Sequence, residues 1–509
     1  MICSSFSRRT RRIRDEVIPA VLLFLTSAGA YGQVTLTPSV SISETLTDNV
    51  RLSNTGQQAE QITEISAGIR INIDGVKLKT FFDYFLSNVM YAQNSSPNRT
   101  QFQNGLNTFG TLEVVDSWAF VDFSGSISQQ AVSAFGTKSI DNTAINANKA
   151  EVSNYRLSPY VRGRFGEMAS YEARYSRSIT SSDAAGGSGV ATGDGSIRLS
   201  GASAFRNLGW STDLSQQIVD YSAGRTTESD RFSLGLSYSI TSQLNVFANA
   251  GREANNFTTF DKRSSGTSGF GVNWSPSELT KLTASRGQRS FGDTHNLSFS
   301  HRTARTAWLF SDSKDVAATP SQTGIASLGS IYDLLYRQFE SLEPNPVTRA
   351  QLVNAYLQAN GINPNATVVS GFLTSAVSLQ RRQDLSFALL GVRDTVTFIA
   401  TRSESSRLDT LSTSLDDLTN SSLVRQRGFS VNYSHRLTPD YSLGVLVSQQ
   451  NTSGELSLQD STLRLLSVNV TGKVGRKASA SVGARRVVSG GSNAPYVENA
   501  VTGNLNVQF

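Results

Sequence analysis

The sequence of 509 residues has almost none of the side chains on which thiol and metal chemistry depend. Its single cysteine is Cys3, close to the N-terminus, and it has three histidines. One cysteine excludes an intrachain disulfide, and three histidines without further thiols leave few ligands for a transition metal. We therefore predict no metal site and no cofactor.

Long apolar runs and charged residues are also scarce. After the N-terminal segment there is no run of 18 or more apolar residues, so no transmembrane helix is predicted. Charged residues make up 17% of the chain, below the roughly 25% of typical soluble domains. If such a chain enters a membrane, it must do so as a closed sheet, because backbone groups in hydrocarbon need internal partners.

Residues 1–32 have the order of a secretory signal peptide. Arginines between Arg8 and Arg14 precede a short apolar stretch, Val17 to Leu25, and small residues follow. The apolar stretch is too short to span a bilayer, and cleavage fits after Ala30 or after Gly32. The residues TRRI after the first arginine pair lack the apolar pair that twin-arginine export prefers, so we expect the Sec pathway.

The signal peptide also accounts for half of the net charge. Its five arginines against Asp15 and Glu16 contribute +3 of the formal +6. The remaining chain is only slightly basic, so we predict no nucleic-acid partner.

Period-two alternation dominates the rest of the chain. In Arg231–Gly251, RFSLGLSYSITSQLNVFANAG, large apolar and small polar residues alternate on both sides of Thr241-Ser242-Gln243. This pattern predicts two antiparallel strands and a tight turn. Short turns then alternate with longer polar stretches, and we count about 22 strands, of a length that spans a bilayer when tilted.

We therefore predict an all-β fold, a transmembrane antiparallel β-barrel over residues 33–509, in the outer membrane of a Gram-negative bacterium. A soluble array such as a propeller is the alternative, but the turns follow no fixed repeat length. The last strand, VTGNLNVQF, alternates and ends in a phenylalanine. This is the pattern that the barrel assembly machinery reads, and Leu505, Val507 and Phe509 are its predicted elements.

One segment departs from the alternation. Ile331 to Gly361 has helical periodicity, with Leu334, Leu335 and Phe339 on one stripe. We predict a small helical insert over residues 325–361, in a loop on the long-loop side of the barrel. It could act as a lid or a plug, or be a packed surface loop without a gating role.

The stretch YRLSPYVRGRF, residues 155–165, indicates which side chains face the lumen. Its apolar set is Tyr155, Leu157, Val161 and Phe165. An arginine at the midplane on the lipid face costs about 2–4 kcal/mol, so the alternate residues are expected to point inward. The candidate lumen-lining residues are Arg156, Tyr160, Arg162, Arg164, Glu172 and Arg174. They could line an anion or sugar path, or only pair with one another and stiffen the wall.

Catalytic motifs are weak. His295 and His301 lie on one predicted strand near Ser298 and Ser300, which raises the possibility of a Ser–His hydrolase in the wall. No acid is expected beside either histidine, and no helix follows the glycine-rich stretch at 186–195, so it lacks phosphate-binding geometry. We predict that the protein is not an enzyme.

Several blocks resemble a known family. They are ETLTDNVRLS (44–53), NTFGTLEVVDSWAFVDFSGSISQQAVSAFG (107–136), FSHRTARTAW (299–308) and the NPVTRAQLV of the helical insert. The chain resembles the outer-membrane β-barrel proteins associated with exosortase/PEP-CTERM systems.

The resemblance implies a porin-like conduit or scaffold for exopolysaccharide export or assembly, with polysaccharide and export-system proteins as partners beside outer-membrane lipid. The alternative is a structural or adhesive surface barrel that binds matrix without transport. A TonB-dependent receptor is disfavoured because a globular plug would precede the barrel, whereas alternation begins near Val34.

Overall fold

The computed structural model describes most of the chain after residue 31. The predicted signal peptide lies outside the described residues except for Gly32. Of the predicted helical insert, only residues 328–330, Arg349 and Val353 are described, and Arg349 and Val353 are buried. The described residues are 32–93, 100–184, 189–203, 205, 207–222, 224–317, 328–330, 349, 353, 367–369, 372, 374, 376–409, 411, 416–456, 459–491 and 495–509.

The described chain is almost entirely β-structure. It includes a four-residue helix, α1 (Asp417–Asn420), and Arg349 and Val353 are also helical. The strands are β1 (Gly32–Thr47), β2 (Glu60–Gly75), β3 (Leu78–Tyr91), β4 (Thr100–Val115), β5 (Ala119–Ala131), β6 (Lys149–Phe165), β7 (Ala169–Ser182), β8 (Val190–Ala202), β9 (Leu208–Tyr221), β10 (Thr227–Ser239), β11 (Leu244–Asn255), β12 (Arg263–Ser277), β13 (Thr280–Arg289), β14 (Gly292–Arg302), β15 (Thr306–Ala317), β16 (Leu328–Ser330), β17 (Thr367–Val369), β18 (Ser378–Leu390), β19 (Asp394–Arg407), β20 (Leu423–Arg436), β21 (Tyr441–Ser453), β22 (Ser461–Lys473), β23 (Ala478–Gly491) and β24 (Tyr496–Gln508).

A closed 22-stranded antiparallel barrel contains all of these strands except β16 and β17, which pair with each other. Each barrel strand pairs with the next, β15 pairs with β18, and β24 returns to β1. At this seam Leu505 lies opposite Ile42 and Val507 opposite Val40, and the Phe509 N–H donates to the Pro38 carbonyl at 2.9 Å. The predicted strand number and closure are confirmed.

The two ends of the barrel differ. Short turns, such as residues 116–118 and 166–168, join alternate strand pairs at one end. Gly166 (φ 57°) supplies the left-handed backbone that its turn requires. Longer connections, such as residues 132–148 and 408–422, lie at the other end. The barrel strands run from 10 to 17 residues, long enough to span a bilayer when tilted.

An apolar band encircles the outer face. On β10 the outward residues Phe232, Leu234, Leu236 and Tyr238 are 40–59% exposed, which would be unfavourable in water over so large an area. Toward the long loops the band ends in outward polar side chains, among them Glu44, Asn88, Asn104, Arg177, Gln216, Asp230, Arg252, Arg286, Asp312, Gln383, Arg402, Arg427, Gln449, Arg464, Arg486 and Asn499. The outer face is therefore that of a transmembrane barrel.

All four tryptophans lie at the short-turn end. Trp210, Trp274 and Trp308 face outward near the ends of their strands, and Trp118 lies in the turn between β4 and β5. The Trp118 indole donates to the Tyr171 hydroxyl at 2.9 Å. Aromatic side chains at this level form the belt expected where hydrocarbon meets lipid headgroups.

The inward face is largely polar, with many Ser and Thr side chains. Hydroxyl groups pair across strands, as between Ser66 and Ser87 (2.5 Å) and between Thr45 and Thr502 (3.2 Å). A barrel of this strand number leaves a wide lumen unless something fills it. In the part of the chain that the structure describes, no helix is long and apolar enough to cross a membrane.

Candidate functional site: a polar lumen under a loop cap

The six candidate lumen-lining residues all lie on the inward face of β6 and β7. On β6 they alternate with Leu157 and Phe165, which point outward and are 53% and 58% exposed. Strand pairing places Tyr160 between Phe120 of β5 and Arg174 of β7. The alternation of β6 therefore brings arginine and tyrosine to one surface, near the short-turn end.

These six residues, together with Phe120 and Asp122 of β5, line one surface across three strands, which we call the ladder. The Tyr160 ring stacks on Phe120 with centroids 5.1 Å apart, and the Arg174 guanidinium lies 3.8 Å from the Tyr160 centroid. Arg174 also binds Asp122 (2.7 Å) and Glu172 (3.1 Å), while Arg162 lies over Phe120 at 4.5 Å.

The ladder residues thus pair largely with one another, which stiffens the wall. Arg156 donates to Ser158 (3.2 Å) and Ser176 (3.1 Å). Arg162 and Arg164 are nevertheless exposed toward the lumen, so two guanidinium groups can meet a solute there.

At the other end of the barrel, the connection between β5 and β6 folds inward. We call residues 132–148 the inner loop. Its backbone carbonyls accept hydrogen bonds from inward side chains of distant strands: Thr143 from Tyr91 of β3 (2.7 Å), Asn142 from Gln103 of β4 (2.8 Å) and Lys138 from Tyr496 of β24 (2.5 Å). The inner loop therefore lies across part of the lumen.

Asp141 anchors the inner loop to β23. Its carboxylate forms an ion pair with Arg485, which also binds Glu498 of β24 at 2.7 Å. Asp141 Oδ1 accepts the backbone N–H groups of Thr143 (3.0 Å) and Ala144 (3.1 Å). Burial opposes ionisation of Asp141, but Arg485 and these N–H groups outweigh it and lower its pKa.

Lys138 is the least expected residue of the inner loop. Its side chain is buried, and Nζ donates to Thr452 Oγ1 of β21 at 2.6 Å. Burial lowers the pKa of the Lys138 ammonium to about 7, although the charge of Asp417 acts in the opposite direction. The amino group therefore changes charge near neutral pH while the loop is in place.

The connection between β19 and β20 meets the inner loop. In α1, Asp417 accepts hydrogen bonds from the Ser133 hydroxyl (2.7 Å) and the Ala134 N–H (2.5 Å). Burial raises the pKa of this carboxyl group against the effect of both donors. Ala134, Phe135, Phe372, Leu418 and Val424 form an apolar cluster around the contact.

A buried ion pair joins two further connections. Arg225, between β9 and β10, binds Asp409, which follows β19, at 3.0 Å, and Asp409 is 1% exposed. Arg225 also donates to the carbonyls of Phe257 (2.7 Å), Thr259 (3.2 Å) and Asn256. Eight barrel strands, β10 to β15 with β18 and β19, separate the two connections around the wall, so the ion pair joins connections that leave the wall at well-separated points.

We call the inner loop, together with the described parts of residues 222–226, 256–262 and 408–422, the cap. The cap has two anchors, the Arg225–Asp409 pair and the Asp141–Arg485 pair. Sequence reasoning missed it, since the longer connections between strands were predicted only as polar stretches. The one signal was the scattered apolar residues in them, such as Phe135 and Leu418.

The histidines do not form the arrangement considered for a hydrolase. His295 Nε2 lies 2.9 Å from Asp312 Oδ1, so the expectation that no acid lies beside either histidine was wrong. Register places both histidines on the outer face and Ser298 and Ser300 on the inner face. Among the described residues, no group of three potential ligands is placed to hold a metal ion.

Residues 196–296, from β8 to β14, match a family model described as "Protein of unknown function, DUF481". No curated protein matches the chain.

Solved structures similar to the chain include the FrpB iron transporter of Neisseria meningitidis, which is 10% identical, with 93% of this chain and 81% of that chain covered and a TM-score of 0.49. The siderophore receptor PirA of Acinetobacter baumannii is 10% identical, with 94% and 81% covered and a TM-score of 0.47. At these identities the likeness concerns the fold alone. The polysaccharide role implied by the sequence resemblance stays a prediction.

Proposed function

We propose that the protein is a gated conduit of the Gram-negative outer membrane, whose lumen passes hydrophilic chains such as exopolysaccharide when the cap opens. The observation that carries the proposal is the Arg225–Asp409 pair, which ties together two connections at the long-loop end, while the ladder lies near the short-turn end. A conduit needs a polar path and a means of closing it. In this proposal the lumen is the path and the cap closes it.

The location in the outer membrane and the orientation of the barrel are inferred from its short turns and long loops. Spanning barrels with short turns at one end and long loops at the other are characteristic of bacterial outer membranes, where the short turns face the periplasm. Both ends of the described chain, Gly32 and Phe509, lie at the short-turn end. In this orientation the ladder faces the periplasmic side and the cap faces the outside.

The exposed arginines of the ladder favour an oxygen-rich solute such as carbohydrate. Guanidinium groups donate hydrogen bonds to hydroxyl and carboxylate oxygens. Arg162 and Arg164 are exposed in the lumen, whereas Phe120 is buried and the Tyr160 ring is covered by Phe120 and Arg174. The resemblance to exosortase-associated barrels supplies polysaccharide as the particular carbohydrate.

The test is conductance of the full protein in planar bilayers. Asp409→Ala leaves the Arg225 guanidinium buried without its carboxylate, a change that typically costs about 3–5 kcal/mol. We expect the variant to be open far more often than wild type, and polysaccharide added on the short-turn side to block its current.

The matched control is Arg198→Gln, which removes a lumen ion pair with Asp213 that is exposed and lies outside the cap. It should behave as wild type does. Equal conductance in wild type, control and Asp409→Ala would rule out a gate at this pair.

The alternative is a structural or adhesive surface barrel without transport. The apolar packing of the cap favours it, because a cluster such as Val190, Val219, Tyr221, Phe257 and Val377 stabilises a static end surface. In this case Asp409→Ala would stay non-conducting, and immobilised polysaccharide would still retain the wild-type protein.

A further inference from the structure

Outward arginines are concentrated on one side of the barrel, just above the apolar band. We call Arg402, Arg425, Arg427, Arg464 and Arg486, on β19, β20, β22 and β23, the arginine row. On β19 to β23, the outward charged side chains above the band are these five arginines and one acid, Glu404.

The arrangement is unfavourable for the protein alone. Arg402 and Arg427 lie directly opposite each other on adjacent strands, and like charges in this relation destabilise a sheet. Arg402 reaches Glu404 at 2.6 Å and Arg425 approaches the same oxygen at 3.9 Å. One carboxylate is thus shared, and an anion from outside would relieve the remaining repulsion.

Two members of the row have no partner among the residues that the structure describes. Arg427 and Arg464 are exposed on the outer face, on strands separated only by β21. Between them, at the same edge of the band, β21 presents the neutral side chains of Gln449 and Asn451. The two guanidinium groups therefore flank an uncharged gap.

Apolar side chains lie directly below this gap. Phe429, Val447 and Leu466 are outward, and each is about two-fifths to one-half exposed (39%, 41% and 48%). A ligand that fits both features needs an anionic head beside acyl chains. Guanidinium groups bind phosphate bidentately, and basic clusters beside a membrane bind anionic lipid headgroups.

We propose that the arginine row, centred on Arg427 and Arg464, is a binding site for a membrane lipid with a phosphorylated headgroup, in the leaflet at the long-loop end. The phosphates lie between the two arginines and the acyl chains lie against the band below. In the orientation proposed above this leaflet is the outer one, but lipid binding does not depend on whether the lumen conducts.

A second pair of outward arginines provides a matched control at the same level. Arg286 is paired with Asp293 at 2.9 Å, and Arg381 with Asp312 at 3.2 Å. Because their charges are already balanced, removing both should not alter lipid binding, although the net charge of the protein changes by the same amount as in the test variant.

The experiment measures binding of bisphosphorylated lipid A to the purified full-length barrel in detergent, by native mass spectrometry. For the double variant Arg427→Gln/Arg464→Gln we expect affinity about 30-fold weaker, which corresponds to about 2 kcal/mol. Arg286→Gln/Arg381→Gln should bind within twofold of wild type. Lipid A without phosphates should bind wild type and both variants equally weakly.

Three results would overturn the proposal. The first is wild-type affinity in the Arg427/Arg464 double variant. The second is an equal loss in the Arg286/Arg381 variant, which would mean that net charge alone attracts the lipid. The third is displacement of the lipid by millimolar inorganic phosphate, which would show a site for free phosphate. Heat-modifiability gels on each variant establish that the barrel is folded before binding is compared.

Discussion

Lys138 makes the cap sensitive to pH. The side chain is 5% exposed, its Nζ donates to Thr452 Oγ1 at 2.6 Å, and burial lowers its pKa to about 7 from an ordinary value of 10.5. If the inner loop leaves the lumen, the ammonium group regains water and its ordinary pKa. The open state then binds a proton that the closed state lacks, between pH 7 and pH 10.5.

The sign and size of the effect follow from this difference. Raising the pH through this window favours the state with fewer protons, which is the closed cap, by about 1.4 kcal/mol, or tenfold, for each pH unit. Over the whole window the preference changes by about 5 kcal/mol. Below pH 7 both states are protonated, so the closed cap is at its least stable and no longer varies with pH through this group.

The assay is single-channel recording of the full protein between pH 7 and pH 10. Wild type should open progressively less often as the pH rises. Lys138→Met keeps the length of the side chain without its charge, so it should stay closed at every pH.

Lys262→Met is the control. Lys262 also lies in the cap, but it is bound by Glu228 and Asp230, and this variant should keep the wild-type slope. A slope in Lys138→Met equal to that of wild type, or no slope in wild type, would refute the reasoning.

Two further predictions concern the wall and the insert. Val468→Arg places a guanidinium on the lipid face of β22 and should destabilise the barrel by about 2–4 kcal/mol. Ser467→Arg faces the lumen and should cost much less. Urea unfolding in lipid vesicles compares the two variants, and equal losses of stability would contradict the assigned faces. Deleting residues 331–361 should raise single-channel conductance if the predicted helices fill the lumen, and unchanged conductance would remove that role.

The wall could be predicted from the sequence because lipid imposes a local rule. Outward side chains within the band must be largely apolar and each strand must turn back, so alternation and turns gave the correct strand number. The Arg231–Gly251 stretch became β10 and β11 with the turn where it was expected. Local irregularities escape this rule: after Trp274 the pairing of β12 with β13 is irregular, and β12 continues to Ser277, so the turn lies at residues 278–279.

The cap could not be predicted because no local rule governs it. Arg225 and Asp409 are far apart in sequence, and they meet only because the closed wall brings both connections over one lumen. The Asp141–Arg485 pair also depends on closure of the wall, because Arg485 is far from Asp141 in sequence. The ladder could be predicted in part. Alternation gave the inward face of Tyr160, but only the strand register identified Phe120 as its stacking partner.

Lys138 and the ladder together favour a conduit over a static scaffold. A buried lysine that donates to a neutral hydroxyl and forms no ion pair with the residues described destabilises the closed cap. A scaffold gains nothing from that cost, whereas a gate needs a closed state that is only moderately stable. A scaffold also has no use for the exposed guanidinium groups of Arg162 and Arg164, which face a lumen that nothing would cross. If the cap opens, the same features become a trigger at one end of the path and a solute-binding surface at the other.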